Sequence, residues 1–356
     1  MPLRSLCATI VVVCVTACGG NSSEPASTSG AAGASASGNV QINGAGATFP
    51  YPIYSKWFSE YNKLHPEVQI NYQSIGSGGG IRQLTNQTVF FGATDGPMTD
   101  EQMKSAPGPI LHLPAVLGAV VPVYNVPGIE GELKFSGSLI ADIYLGTVKT
   151  WDDPAIAKLN PGVKLPATDI TVVHRSDGSG TTYIFVDFLS KTSPAFKKKV
   201  GVNTSVNWPA GVGGKGNEGV AGLVSQTPGS IGYVELIYAL QNKISFGAVQ
   251  NLAGEFVKAS VDAVTKAAEG AAASMPSDFR VSITNAPGAG AYPISSFTWI
   301  LLYEAPKDAA SSRIMVDFMR WALTDGQKQA TELGYAQLPS AVVQMEMAAL
   351  DRVKVS

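Results

Sequence analysis

Strand-like alternation gives way repeatedly to helical stripes from residue 40 onward, and this predicts an α/β protein. Two further observations predict two lobes. At 356 residues the chain exceeds an ordinary single domain. Two long apolar stretches, residues 115–125 and 292–302, also read as buried strands that cross between lobes. The boundaries that follow are a first lobe of 40–120 with 292–356 and a second of 121–291. A cleft between two such lobes is a common place for a ligand.

The elements follow in order. Val40-Gln41-Ile42 alternates as a strand and ends in the Gly44–Pro50 loop, after which Ile53, Trp57, Tyr61 and Leu64 form a helical stripe. Val68 to Tyr72 alternates again and runs into Gly76-Ser77-Gly78-Gly79-Gly80. A second helix is expected with Ile81, Leu84 and Gln87 on one face, then a short strand over 89–93 that turns at Thr94-Asp95-Gly96-Pro97. Residues 139–160 hold a helix and a second short one opened by Trp151-Asp152-Asp153-Pro154. Ile170 to Val173 reads as a strand feeding Arg175–Thr181, and Ile184, Phe185, Phe188 and Leu189 share a helix face. Residues 209–219 are expected to be a Gly-rich loop, 231–234 a strand and 259–275 an Ala-rich helix. Helices over 311–324 and 340–352 would complete the first lobe.

The N-terminus has the marks of a processing segment. Arg4 precedes the apolar run of residues 6–15, which is far shorter than the roughly 20 residues a membrane-spanning helix needs. Val15-Thr16-Ala17-Cys18 resembles a bacterial lipobox, so residues 1–17 are expected to be a leader and Cys18 a lipidated first residue. Residues 18–39 are almost wholly Gly, Ser, Ala, Thr and Pro, a composition suited to a flexible tether. Cys7, Cys14 and Cys18 are the only cysteines, which excludes a disulfide framework or thiol chemistry from the mature domain. The net charge of −2 carries no basic excess and argues against a nucleic-acid partner.

Three loops share one design. Thr48, Ser77 and Ser179-Gly180-Thr181 each stand where a Gly-rich turn opens a helix. Free N–H groups, the positive helix end and a hydroxyl together suit an oxyanion. Any one of these loops alone is better read as a helix cap, but three in one chain with Arg175 alongside favour the anion. A guanidinium fork pairs bidentately with tetrahedral oxyanions, and Asp177 is its alternative, structural partner. Asp95 is a carboxylate in a turn, which also suits an Asx-turn. His65, His112 and His174 lack metal-ligand spacing, and no metal or other cofactor is expected.

The segments Gly44–Pro50, Ile75–Gly80, Phe91–Asp95 and Arg175–Thr181 resemble those of the periplasmic phosphate-binding proteins of the phosphate-specific ABC importer, the PstS family. Asp142–Gly146, Trp151–Ile156, Gly213–Asn217 and Ile231–Glu235 are similar as well, in the same order from about residue 42 to 345. The resemblance implies a two-lobed periplasmic-binding-protein fold of type II, inorganic phosphate as ligand and the importer's permease subunits as partners, with the membrane reached through the lipid anchor. It implies phosphate contacts from Thr48, Phe49, Ser77, Asp95, Arg175, Ser179, Gly180 and Thr181, with Asp95 accepting the phosphate's own proton. Phe90 and Thr94 depart from the family pattern, and altered packing near Asp95 is expected from them. His174 departs too, with a slight change of local charge. Another oxyanion, a phosphatase-like enzyme using the same loops, and a surface sensor or adhesin are the competing readings.

Overall fold

The alternation that begins at Val40 continues in space as a large mixed sheet flanked by helices. The computed structural model describes residues 39–129, 131–272 and 275–355. The expected leader, Cys18 and the tether as far as residue 38 lie outside the described residues. The first half of the chain runs β1 (Val40–Gly46), α1 (Tyr51–Leu64), β2 (Val68–Ser74), α2 (Ser77–Thr85), β3 (Phe91–Thr94), α3 (Asp100–Ser105), β4 (Ile110–Asn125), β5 (Lys134–Phe135), α4 (Gly137–Tyr144), α5 (Pro154–Leu159) and β6 (Thr171–Arg175). The second runs α6 (Gly180–Thr192), α7 (Pro194–Lys199), β7 (Val212–Gly214), α8 (Gly216–Gln226), β8 (Ser230–Glu235), α9 (Leu236–Gln241), β9 (Ser245–Phe246), β10 (Ala248–Gln250), β11 (Phe256–Val257), α10 (Val261–Ala272), β12 (Ser295–Tyr303), α11 (Ala309–Ala322) and α12 (Ser340–Leu350).

Helix starts follow local chemistry. Thr99 and Gln102 form a reciprocal capping box on α3, and Asp153 caps α5 with Pro154 in its first turn. Asp308 likewise accepts from the N–H groups of Ala310 and Ser311 at the start of α11.

The main sheet is ordered β2-β1-β3-β12-β4-β8-β6-β7, with β9 also on β4, and β11-β10-β5 form a small second sheet. β1 is parallel to β2 and β3, and β6 to β7 and β8, whereas β12 and β4 run antiparallel to their neighbours. β4 is the long buried strand expected over 115–125, but it begins earlier, at Ile110. Its residues 110–119 pair with β12 and residues 120–125 with β8, so one strand belongs to both halves of the sheet. The result is a two-lobed α/β fold with a change of sheet partner at Ala119–Val120.

The C-terminal segment packs on the N-terminal elements. Phe318 and Trp321 of α11 pack on Tyr61 of α1, the Trp57 indole donates to Gly326 O, and Tyr335 Oη donates to Phe49 O at 2.6 Å. Residues 278–284 tie distant elements together on another side. Arg280 donates to Met98 O and Asp100, while Ser282 and Thr284 donate to Asp187 of α6.

Two expectations are corrected. α2 ends at Thr85, and Gln87 lies beyond it with φ +55°, so the helical face stops at Leu84. Residues 209–219 are not one loop: β7 pairs Gly213 and Gly214 with His174 and Arg175, and α8 starts at Gly216. The glycine density there had concealed a strand of three residues.

Candidate functional site

Parallel strands deliver their C-terminal ends to one region. β3 leads to Asp95, β6 ends on Arg175, and the N-termini of α2, α6 and α8 meet them there. Thr48, between β1 and α1, completes the set. This is where open α/β sheets form their ligand crevices.

Ser77 is the first residue of α2 and is fully buried. Its Oγ accepts the Asp95 N–H at 3.2 Å and the Gly180 N–H at 3.0 Å. A hydroxyl has two lone pairs and one proton, so these bonds leave Ser77 with only its proton to offer. The approach is close enough to demand glycine on the facing helix. A Cβ on Gly180 would stand 2.5 Å from Ser77 Oγ and 2.6 Å from Asp95 Oδ2. Gly76, which precedes α2 with φ +87°, likewise leaves room for Asp177.

Asp95 is 1% exposed. Its Oδ1 accepts the Thr298 hydroxyl of β12 at 2.8 Å, whereas Oδ2 has no partner among the described residues. Burial pushes its pKa up to about 7, against the opposing pull of the Thr298 hydroxyl, the Arg175 charge and Ser77. The Asx-turn reading of Asp95 is therefore wrong. The local turn is made by Thr94, whose Oγ1 accepts from Gly96 N and donates to Gly96 O. Phe90 precedes β3, at the opposite end of that strand from Asp95, so the altered packing expected near Asp95 does not come from it.

Arg175 is held by two bonds to one carboxylate. Nε donates to Asp177 Oδ1 at 2.8 Å and Nη2 to Oδ2 at 2.6 Å, while Nη1 reaches Thr181 Oγ1 at 3.3 Å. Burial pushes Asp177 upward, but the bonds and charge of Arg175 outweigh it and hold the carboxyl below its ordinary value. The ion pair is thus present, and it fixes the fork rather than removing it from the site. Ser179 caps α6, its Oγ accepting the Thr182 N–H at 3.0 Å. That bond supports the capping reading for this residue. Gly180 and Thr181 are the first two helical residues of α6.

Thr48 Oγ1 accepts from Asn217, through the amide Nδ2 at 2.6 Å and the backbone N at 3.2 Å. Thr48 O also accepts the Tyr238 hydroxyl at 2.6 Å. Phe49 is fully buried between these elements. The predicted residues therefore gather into two hydrogen-bonded groups, Ser77 with Asp95 and Gly180, and Thr48 with Thr181 and Arg175 through Asn217, joined where Gly180 meets Thr181, with Phe49 and Ser179 beside them.

Two residues of the cluster were missed by motif reasoning. Asn217 bridges Thr48 and Thr181, and its Oδ1 accepts the Glu235 N–H at 2.9 Å. Glu235 is fully buried, with Oε1 unpartnered, and burial holds its pKa well above the ordinary carboxylate value. A cue was present in the strand signal of 231–234, which ends in an acid.

Two of the histidines pack into the protein. His112 is buried, its pKa lowered to about 3 by that burial, and its Nε2 accepts the Met98 N–H. His174 stacks on Trp208 with ring centres 5.3 Å apart. No group of three or more potential metal ligands occurs among the described residues.

Residues 29–326 match the PBP superfamily domain. The phosphate-binding protein PstS of Xylella fastidiosa (strain Temecula1) is 51% identical over 306 residues, covering 86% of this chain and 83% of its own length. The PstS of Pasteurella multocida is 48% identical over 304 residues, with 85% and 88% covered. Among solved structures, a high-affinity periplasmic phosphate-binding protein determined with bound phosphate superposes with a TM-score of 0.68. It is 21% identical, with 87% of this chain and 93% of the other covered, and supports the shared fold.

Proposed function

The chain belongs to the PstS family of phosphate-binding proteins, and we propose that it captures phosphate between its lobes with the cluster around Asp95. It is a solute-binding protein of an ABC phosphate importer, acting outside the cytoplasmic membrane, and not an enzyme. The proposed lobes are residues 40–120 with 292–356 and residues 121–291, in keeping with the partner change of β4 at Ala119–Val120.

The observation that carries the proposed site is Asp95 Oδ2, a buried acceptor without a partner in a cluster rich in donors. Thr48 and Ser77 supply hydroxyl protons from one lobe, with the Phe49 N–H beside them. Arg175 supplies charge, and from the other lobe Ser179 and Thr181 supply hydroxyl protons and Thr181 a helix-start N–H, with the Gly180 N–H exchanging Ser77 Oγ for the anion. Phosphate near neutral pH retains a proton that Asp95 can accept, whereas sulfate has none and faces the carboxylate with only acceptors. A repulsive, unpaired contact in a dry site costs several kcal/mol unless Asp95 takes up a proton, so with its pKa near 7 the discrimination against sulfate grows about tenfold per pH unit above neutrality. A ligand that touches both lobes binds the closed state better and so signals loading to the permease. Arsenate shares the shape and protonation pattern, so it is poorly rejected.

The decisive measurement is equilibrium dialysis with radiolabelled phosphate against excess sulfate and arsenate. Competition by arsenate alone is expected, and equal competition by sulfate would remove the role given to Asp95. The membrane link is proposed to be lipidation of Cys18 after removal of residues 1–17, with 18–39 as tether. The lipobox-like Val15-Thr16-Ala17-Cys18 supports it.

A further inference from the structure

We propose that Asn217 is a positioning residue for phosphate capture, clasping the two lobes and converting Thr48 and Thr181 into obligate hydrogen-bond donors. This rests on the reading of those two threonines as phosphate ligands. Asn217 lies in the first turn of α8 and is fully buried. Its two amide hydrogens serve two acceptors: Nδ2 lies 2.6 Å from Thr48 Oγ1 and 3.2 Å from Thr181 Oγ1.

The lone-pair count then decides what the hydroxyls can do. Thr48 Oγ1 already accepts the Asn217 backbone N–H at 3.2 Å, and Thr181 Oγ1 accepts Arg175 Nη1 at 3.3 Å. Each hydroxyl thus has both lone pairs taken and a single proton left to donate. Neither can turn and present a lone pair to an anion. The amide cannot flip, because its Oδ1 accepts the Glu235 N–H at 2.9 Å. Reversal would set donor against donor there and the amide oxygen between two hydroxyls. Glu235 in turn pairs with Val120, where β4 changes partner, so the clasp is anchored at the junction of the two half-sheets.

Donor enforcement serves any tetrahedral oxyanion, so Asn217 should govern affinity without governing phosphate-over-sulfate choice. That separates it from Asp95. The test is titration calorimetry with phosphate and with sulfate on the full chain, its Asn217→Ala variant, a Thr48→Val/Thr181→Val variant and the triple variant, with unfolding of each ligand-free protein followed in parallel. Asn217→Ala is expected to weaken both anions by about 10- to 100-fold and to leave their ratio within about threefold. In the valine background the same change should cost less than about threefold, because the hydroxyls it acts through are gone.

Wild-type affinity in Asn217→Ala, or an undiminished loss in the valine background, overturns the proposal. Wild-type affinity in the valine variant itself instead removes the threonines from the ligand set. Asn217→Ser keeps a small polar side chain in the buried position and covers the case in which alanine prevents folding. Unaltered affinity in that variant also overturns the clasp.

Discussion

Replacing Asp95 with asparagine separates two effects that one carboxylate exerts. Burial raises the Asp95 pKa from 3.8 to about 7 in the ligand-free protein. A raised carboxyl leaves stability complete below its unfolded value and lost as pH climbs through the folded one. The cost is therefore absent below about pH 4, grows across the window to pH 7 and is constant above it. At about 1.4 kcal/mol per pH unit, that window amounts to about 4 kcal/mol. Asp95→Asn keeps an oxygen for Thr298 and removes the charge, but it places an amide N–H₂ where no acceptor stands. The net gain expected at pH 8 is roughly 2–4 kcal/mol, and near pH 4, where only the amide cost remains, it turns into a loss of up to about 2 kcal/mol. Urea unfolding of the ligand-free protein at pH 4, 6 and 8 reads it directly. An equal effect at all three, or none at pH 8, refutes the reasoning. In the same variant the ratio of phosphate to sulfate affinity at pH 8 should fall by about tenfold, because wild-type Asp95 must take up a proton to face sulfate whereas an amide tolerates an oxygen without one. An unchanged ratio would mean that selectivity resides elsewhere.

Three other outcomes are expected. Gly180→Ala sets a methyl against Ser77 and Asp95 from the facing helix; phosphate affinity should drop at least about 100-fold and the ligand-free protein should lose about 1–3 kcal/mol of stability, as calorimetry and thermal unfolding would report. Arg175→Lys keeps the charge but loses the bonds to Asp177 and the reach to Thr181; a loss of about tenfold or more in phosphate affinity is expected, and wild-type affinity would show that a point charge suffices. Cys18→Ser should release the protein from membranes into the soluble fraction and abolish fatty-acid labelling, and retention of either one contradicts lipidation at this position.

Much of the fold was legible because its signals are local. Alternation at 40–42 and 68–72, the stripe at Ile53–Leu64 and the long apolar run at 115–125 each appear as an element close to its expected span. The candidate cluster was legible wherever glycine and hydroxyl residues mark a helix start. What stayed hidden depends on distant partners. Nothing near Asp95 announces that Thr298 holds one of its oxygens, and nothing near Asn217 announces Thr48. The short β7 went unread because glycines carry no strand signal and only its pairing with β6 defines it.

The span between those partners has a consequence in time. Asp95 waits for Thr298, 203 positions later, and Phe49 waits for Tyr335, 286 positions later. Contacts this far apart in sequence form late, since the intervening chain must be ordered first. A nascent chain emerging from its N-terminus therefore has no finished anion site until its last quarter is available. Cargo capacity arrives all at once, at the end of synthesis and passage to the outside. On the proposed site, a chain lacking Thr298 and Tyr335 leaves Asp95 and Phe49 without the partners that hold them.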